Sequence, residues 1–140
     1  MTYHFMVHRQ KNGYWAECLE LAGCVTQGDT PEELRHNARE ALNLYLDEPE
    51  NSQVTFPLPR RTTRTKTLDV PVDPGIALSV LLRNYRLRHK YTQTQVAHRL
   101  GMKNLYSYQR LERRSNPSLQ TLQKLKKVFP DLSVDYLLHP

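Results

Sequence analysis

The sequence predicts an α+β protein in which an antiparallel sheet with one helix comes first and a bundle of helices follows. Three observations predict this order: a period-two pattern at residues 3–9, one long amphipathic segment at residues 31–47, and five short helical segments after Pro74. At 140 residues the chain has room for one domain or for two small ones. The change of character at Pro74 predicts two, over residues 1–73 and 75–140.

The sheet begins with a hairpin. Residues 3–9 alternate aromatic and β-branched side chains with polar ones, and the "NG" dipeptide that follows is typical of a two-residue turn. It leads into a second strand over residues 14–21. The segments "QVTFPLP" at 53–59 and "KTLDVPV" at 66–72 are predicted as further strands, with their prolines at edges or ends.

The stretch "GCVTQGDTPEEL" precedes the long helix and raises the question of a phosphate site. Thr30 is a good N-cap, Pro31 suits the first helical position, and Glu33 completes a capping box. A phosphate loop would need a lysine after its glycines, whereas here Glu32 and Glu33 occupy the helix start. The stretch is therefore predicted to be a structural turn.

The C-terminal part reads as a compact bundle of five helices. Thr92 and Gln95 form a second capping box, and Gly101 ends the helix that they begin. The five segments run over residues 75–90, over 92–100, from Asn104 onwards, over 118–129 and over 133–138.

Charge is distributed unevenly. Residues 1–57 hold four basic and nine acidic side chains, a balance of −5, whereas the remainder holds sixteen and five, a balance of +11. This asymmetry suggests two modules with different partners, of which only the second would approach a polyanion.

Other classes of site find little support. Cys18 and Cys24 have poor zinc spacing and are predicted to be reduced thiols. The chain shows neither a membrane span nor a secretory signal, which predicts a cytoplasmic protein without a membrane partner.

Two short helices joined by a glycine turn form a helix-turn-helix, whose second helix enters the DNA major groove. On a helix from Asn104, we expect Leu105, Tyr108 and Leu111 to pack, and Tyr106, Gln109, Arg110 and Arg113 to share a free face. Gln109 and Arg110 have the chemistry for base readout, while Lys103, Arg113, Arg114 and Asn116 could hold phosphates. The alternative reading is a plain solvated basic face.

Residues 91–138, with "TQTQVAHRLGM", "YQRLERRSNPSLQTLQKLKKV" and "LSVDYLL", resemble the Xre/Cro-type repressor domain. The resemblance implies that Gln93 touches a phosphate or a base edge and that the third helix reads sequence. The spacing from Gly101 to Glu112 is one residue longer than in that family. The predicted DNA-binding residues are Gln93, Lys103, Asn104, Tyr106, Gln109, Arg110, Arg113 and Arg114.

The hairpin, "LAGCVTQGDTPEELRHNAREALNLYL" and the later strands resemble the HicB-type antitoxin. The chain departs modestly from that pattern, with Ala22 where a proline is usual. The resemblance implies a partial RNase H-like fold in residues 1–73. It also implies neutralisation of a HicA-type toxin, a small basic protein that cleaves messenger RNA, and repression of the chain's own operon.

The acidic front module is expected to bind that toxin through aromatic anchors. The predicted toxin-binding residues are Tyr3, Tyr14, Trp15 and Glu17, although Trp15 could equally pack under the helix. Paired recognition helices imply a homodimer or higher oligomer, formed through the C-terminal part, and a near-palindromic operator.

Catalysis is not expected. A nuclease of the RNase H type needs clustered carboxylates for metal ions, and the first strand contains none. His4 and His8 lack partners in any recognisable motif, so no metal, cofactor or enzyme activity is predicted. A ligand-sensing repressor remains the main alternative, with a metal-dependent nuclease behind it, and the basic loop 60–67 could be a hinge, a protease target or a DNA contact.

Overall fold

The protein, described here as a computed structural model over residues 1–138, divides into two compact units. The sheet unit comprises residues 1–46 and 56–73, and the helical unit comprises residues 47–55 and 74–138. Segment 47–55 therefore departs from the predicted division at residue 73. It joins the helical unit because the carbonyl oxygens of Pro49 and Glu50 accept hydrogen bonds from side chains there.

This division changes the charge argument. The sheet unit carries eight basic and eight acidic side chains, and the helical unit carries twelve and six, a balance of +6. The sheet unit includes the basic loop, while Asp47, Glu48 and Glu50 belong to the helical unit. The predicted front module of charge −5 is thus not one of the compact units.

The sheet unit contains a four-stranded antiparallel sheet in the order β3-β2-β1-β4. Its strands are β1 (Thr2–Gln10), β2 (Gly13–Cys18), β3 (Val25–Gly28) and β4 (Thr67–Pro71). The predicted hairpin is present, but its turn residues are Lys11 and Asn12, because Gly13 already pairs with Gln10 as the first residue of β2. Strand β3 was not foreseen because its four residues lie within a turn-like stretch.

The strand predicted at residues 53–59 is wrong, because this segment forms no ladder. The segment is instead fixed in part by the hydroxyl of Tyr3, which donates to the carbonyl oxygen of Pro57 at 2.8 Å. Proline cannot donate to a ladder, and two prolines within seven residues outweigh the alternation of the remaining side chains.

Helix α1 (Pro31–Leu46) covers one face of the sheet with Leu34, Ala38, Leu42 and Leu46. At its start, the amide of Glu33 donates to Thr30 Oγ1 at 3.1 Å, as the cap predicts. A Cβ on Gly28 would lie 2.5 Å from the amide nitrogen of Leu34, so only glycine lets the strand end approach the helix this closely. Within the stretch at residues 23–34, Gly28 and Thr30 thus have structural roles, as predicted.

The helical unit contains five α-helices among its described residues, as predicted. They are α2 (Pro74–Arg88), α3 (Gln93–Arg99), α4 (Leu105–Gln109), α5 (Leu119–Val128) and α6 (Val134–Leu138). A 3₁₀ turn, Arg110–Glu112, follows α4 directly. Helix α2 is buried on most of its circumference, and Leu125, Phe129 and Leu132 are fully buried in the same unit.

Candidate nucleic-acid and protein-binding surfaces

Helices α3 and α4 form a helix-turn-helix whose local geometry follows from its caps. The amide of Gln95 donates to Thr92 Oγ1 at 3.1 Å, and the amide of Thr92 donates to Gln95 Oε1 at 2.8 Å. Gly101 ends the first helix with φ of +69°, and its missing Cβ would meet no atom within 4 Å. Glycine is favoured there for its backbone conformation and not for space.

Asn104, predicted to contact DNA, is the N-cap of α4. Its Oδ1 accepts hydrogen bonds from the amide and from the hydroxyl of Ser107, both at 2.9 Å. The side-chain oxygen of Asn104 is therefore committed to starting the helix.

Tyr106 of α4 and Arg110, which caps the C-terminal end of α4, are exposed to solvent. Tyr106 is 58% exposed, and the Arg110 guanidinium lies 6.0 Å from the centre of its ring. Tyr108 and Leu111 are buried as expected, whereas Leu105, predicted to pack, is 39% exposed. A groove of about 530 Å³ runs beside these side chains, and its lining includes the predicted residues Tyr106, Arg110, Arg113, Arg114 and Asn116. Lys103 is exposed, between α3 and α4.

Arg113 does not share a helical face with Tyr106. The α-helix ends at Gln109, and Arg113 follows the 3₁₀ turn in extended conformation, with φ of −107° and ψ of 175°. The predicted i+7 relation is wrong because Glu112 is drawn into the core and the chain tightens around it. Arg113 Nε instead lies 3.5 Å from the carboxylate of Glu50.

Gln93 is engaged within the helical unit. Its Nε2 donates to Glu112 Oε2 at 3.1 Å and to the carbonyl oxygen of Glu50, and its Oε1 accepts from Gln109 Nε2 at 3.2 Å. Both amide protons of Gln93 are thereby used. The geometry makes Gln93 a residue that sets α3 against α4, while the Oε1 of Gln109 is left without a partner in these contacts.

A buried charge network beneath α4 was missed by the sequence reasoning. Glu112 is fully buried, and its carboxylate accepts hydrogen bonds from Arg86 Nε, from an Arg86 terminal nitrogen at 3.0 Å and from the hydroxyl of Tyr108. Arg83, also fully buried, donates to the carbonyl oxygen of Glu112 at 2.8 Å. Arg83 and Arg86, three positions apart and directly after the largely apolar run at 76–82, were the available signal.

Burial and this network shift the ionisation of their members. Burial, with the neighbouring Glu112 carboxylate, raises the pKa of Tyr108 far above its usual value. Burial lowers the pKa of Arg83, and the carboxylate of Glu112 opposes that shift. Tyr108, Arg83 and Glu112 are all fully buried, so the network lies beneath α4 and does not contact solvent.

The sheet unit leaves the face opposite α1 open. Side chains alternate along a strand, so buried Ala16 and Cys18 face α1 while Trp15 and Glu17 project to the other side. The ring of Trp15 stacks on His8 at 4.0 Å between centroids, and His8 Nε2 lies 3.1 Å from Glu17 Oε1. The structure thus brings Trp15 and Glu17 together on this open face, and the reading of Trp15 as packed under the helix is wrong.

The other two predicted toxin-binding residues lie elsewhere. Tyr14 alternates onto the α1 side of the sheet. Tyr3 has no exposed surface and belongs to the core, so its prediction as an interface anchor is wrong.

Neither the histidines nor the cysteines form a reactive cluster in the part of the chain that the structure describes. His4 Nδ1 lies 2.6 Å from Glu20 Oε1, and no three His, Cys, Asp or Glu side chains come together there as a metal site would require. Burial raises the pKa of Cys18 to about 12 and that of Cys24 to about 11, which disfavours the nucleophilic thiolate. Over residues 1–138, none of the helices has the length and apolar character to cross a membrane.

Comparison with known proteins agrees with this arrangement. A helix-turn-helix family model matches residues 82–137. A UPF0150 protein of Helicobacter pylori is 38% identical over 56 residues, which are 40% of this chain and 78% of that protein. Antitoxin HicB 1 of Photorhabdus laumondii is 29% identical over 120 residues, 83% of this chain and 73% of that protein. A UPF0150 protein of Synechocystis is 44% identical over 48 residues, 32% of this chain and 61% of that protein.

The Helicobacter relative shows the family, because it is 38% identical and is matched over 78% of its length. The Photorhabdus relative extends the similarity over 83% of this chain. The chain therefore belongs to the family of UPF0150 proteins and HicB-type antitoxins, and it carries a helix-turn-helix domain of the Xre type in its C-terminal part.

Proposed function

We propose that the chain is the antitoxin of a type II toxin–antitoxin pair. Its sheet unit binds and neutralises a HicA-type, mRNA-cleaving toxin, and its helical unit represses the operon that encodes the pair. The observation that carries the DNA-binding half is the exposed pair of Tyr106 on α4 and Arg110 at its C-cap, beside a groove lined by Arg113 and Arg114.

Two side chains at the C-terminal end of α4 fit base readout. Arg110 can donate two hydrogen bonds to guanine O6 and N7, and Gln109 can pair with adenine through its carbonyl oxygen and its remaining amide proton. Lys103 and Arg114, outside the helix, suit phosphate contacts that set register without reading sequence. Gln93 acts through Gln109 and is a positioning residue.

Fluorescence anisotropy with the DNA upstream of the gene tests the repressor half. Arg110→Ala should lose about 1–3 kcal/mol of binding free energy on the cognate site, with little change on a scrambled duplex. Lys103→Ala should weaken binding to both duplexes by the same factor. Lys124→Ala, which removes an exposed charge from α5, serves as the control and should change neither. Equal affinity of the unmodified protein for the two duplexes would rule out the repressor.

Support for the toxin-binding half comes from the open face of the sheet. Trp15 offers a large aromatic surface beside the carboxylate of Glu17, and Val25 on the neighbouring strand is 55% exposed. An aromatic anchor with an apolar neighbour and a charge at its rim is the composition of an interface hot spot. The Photorhabdus relative is named as an antitoxin, which supports the same role for this chain.

Co-expression with the product of the adjacent toxin gene tests this half. Trp15→Ala should weaken the complex by about 2 kcal/mol or more and fail to restore growth, since truncating a hot-spot aromatic costs that much. His36→Ala, on the solvent side of α1, is the matched control and should neutralise normally. Full neutralisation by the Trp15 variant would show that the open face is not the interface.

A near-palindromic operator requires two copies of α4, so we propose that the chain binds DNA as a dimer formed through the helical unit. Leu119 and Leu138 are 84% and 65% exposed on that unit and supply apolar surface for a second copy. Light scattering should give twice the chain mass, and Leu138→Lys should halve it. A monomeric mass for the unmodified protein at the concentrations used for DNA binding would contradict the dimer.

A further inference from the structure

A cleft in the sheet unit has the chemistry of a ligand site and plays no part in the proposed function. It has a volume of about 450 Å³ and lies between the N-terminal end of α1 and the strands β1 and β4, on the α1 side of the sheet. Its volume lies in the range of small-molecule sites, which is roughly 300–1,000 Å³. Its lining includes three cations, Arg9, Arg35 and Lys66, and the side chains of Val7, Tyr14, Leu34 and Leu68.

The lining combines a positive rim with an apolar floor. Arg9, Arg35 and Lys66 are exposed cations, contributed by β1, by α1 and by the residue before β4. Leu34 and Leu68 are buried beneath them. No residue of the lining is acidic.

These three cations have no carboxylate partner among residues 1–138, which sets them apart from the other arginine of α1. Arg39, one turn further along the helix, is paired with Asp73 at 2.8 Å. In a unit whose charges balance overall, three unpaired cations from separate elements are a local concentration of positive charge. Such a concentration favours an anion.

Lys66 also has an unusual backbone conformation. Its φ is +66°, in the left-handed region, which is energetically costly for a residue with a side chain. Glycine would adopt this conformation without that cost, yet the position carries a cation that lines the cleft. Backbone strain of this kind concentrates at ligand sites.

We propose that this cleft binds a small organic anion. The apolar or aromatic body of the ligand would lie on Leu34, Leu68 and Val7 and against the ring of Tyr14, and its carboxylate or phosphate would lie among Arg9, Arg35 and Lys66. The cleft takes no part in the proposed toxin and DNA contacts, because it lies on the opposite side of the sheet from Trp15 and in a different unit from Tyr106 and Arg110.

The test is a titration of the full-length, ¹⁵N-labelled protein with four probes, followed by amide chemical shifts. 1-Naphthoate carries an aromatic body and a carboxylate, and adenosine 5′-monophosphate carries a base and a phosphate. 1-Naphthalenemethanol has the body without the charge, and inorganic phosphate has the charge without a body. We expect one or both organic anions to saturate with shifts centred on Val7, Tyr14 and Leu68, and both partial probes to bind at least about tenfold more weakly.

Substitutions separate binding from folding. Arg35→Gln should lower the affinity for the anion about fivefold, which is the upper range for an exposed charge pair. Lys11→Gln, which removes an exposed cation outside the cleft, should leave the affinity within about twofold by the same reasoning. Lys66→Gly should weaken binding of the anion by a similar factor, because it removes the charge. It should also raise the melting temperature, because it relieves the backbone strain at this position. If Lys66→Gly lost affinity and also had a lower melting temperature, its fold would be damaged. The affinity of Arg35→Gln would then decide whether the cleft binds the anion.

Three results would overturn the proposal. Shifts that fail to saturate below about 10 mM, or that scatter over the surface, would show that there is no site, since a cleft of this kind should hold its ligand at least this tightly. Equal binding of 1-naphthalenemethanol would show a merely apolar groove. Tighter binding of a ten-nucleotide single strand than of the mononucleotide, lost on substituting Arg61 or Arg64 in the neighbouring loop, would show a nucleic-acid track instead.

Discussion

Replacing Glu112 with glutamine is the sharpest test of the buried network. The carboxylate is fully buried and is the shared acceptor for Arg86, for Tyr108 and for Gln93. Glutamine keeps the shape of the side chain but removes its charge and replaces one acceptor oxygen with a donor. Arg86, which is 2% exposed, would then be left in the core without its counterion.

The expected loss follows from this geometry. Breaking a buried ion pair by removing one partner costs about 3–5 kcal/mol, because the remaining charge is neither solvated nor neutralised. The loss is a large share of a typical unfolding free energy of about 5–15 kcal/mol. Asp131→Asn is the matched control, because it breaks the ion pair with Arg88 at 2.7 Å, in which both side chains are more than half exposed. An exposed pair contributes about 0–1 kcal/mol, so this control should change little.

Urea unfolding can follow the two units separately. Trp15 is the single tryptophan and lies in the sheet unit, so its fluorescence reports there, while far-UV circular dichroism reports chiefly on the five helices of the helical unit. Glu112→Gln should lower the midpoint seen by circular dichroism and leave the fluorescence midpoint nearly unchanged.

A double-mutant cycle with Arg86→Met completes the test. Each single substitution leaves a buried charge behind, so the double variant should lose less than the sum of the two, with a coupling of about 1–3 kcal/mol. A loss for Glu112→Gln no larger than that of the Asp131 control would refute the reasoning, as would simple additivity in the cycle.

Three further predictions concern other parts of the chain. Glu50→Gln should tighten DNA binding severalfold, because it frees Arg113 from the carboxylate 3.5 Å away. Asp47→Asn removes the same charge from the same segment and should have less effect. Equal increases in DNA affinity for the two variants would show only a general charge effect. Cys18 should react with iodoacetamide far more slowly than an unfolded cysteine at pH 8, since its pKa of about 12 leaves about one thiol in ten thousand ionised, and rapid native labelling would contradict its burial. Gly28→Ala should lower the fluorescence midpoint in urea, because the added Cβ would lie 2.5 Å from the helix backbone; an unchanged midpoint would show that the turn yields easily.

Local signals in the sequence were enough for much of the fold. The caps at Thr30 and Thr92 and the glycine terminator at 101 act over neighbouring residues, and each was found where predicted. The hairpin also formed, although its two turn residues are Lys11 and Asn12, one position before the predicted Asn12-Gly13. Such features depend on hydrogen bonds within one or two turns, so they can be read without knowing what packs against them.

The candidate sites were only partly predictable for the same reason. The exposure of Tyr106 and Arg110 follows from helical spacing, but the early end of α4 does not, because it depends on where Glu112 goes. The faces of β2 also could not be read: Tyr14 and Trp15 are both aromatic, and only the position of α1 decides which side of the sheet is covered.

By itself, then, the sequence determined the helices, three of the four described strands, the caps and turns that bound most of them, and the helix-turn-helix. The tertiary structure alone decided that Arg86 lies in the core against a carboxylate 26 positions away, that segment 47–55 belongs with the helices, and that three cations from three elements meet at one cleft. These pairings join residues far apart in the chain, and no local propensity specifies which distant partner a buried charge or an exposed face will meet.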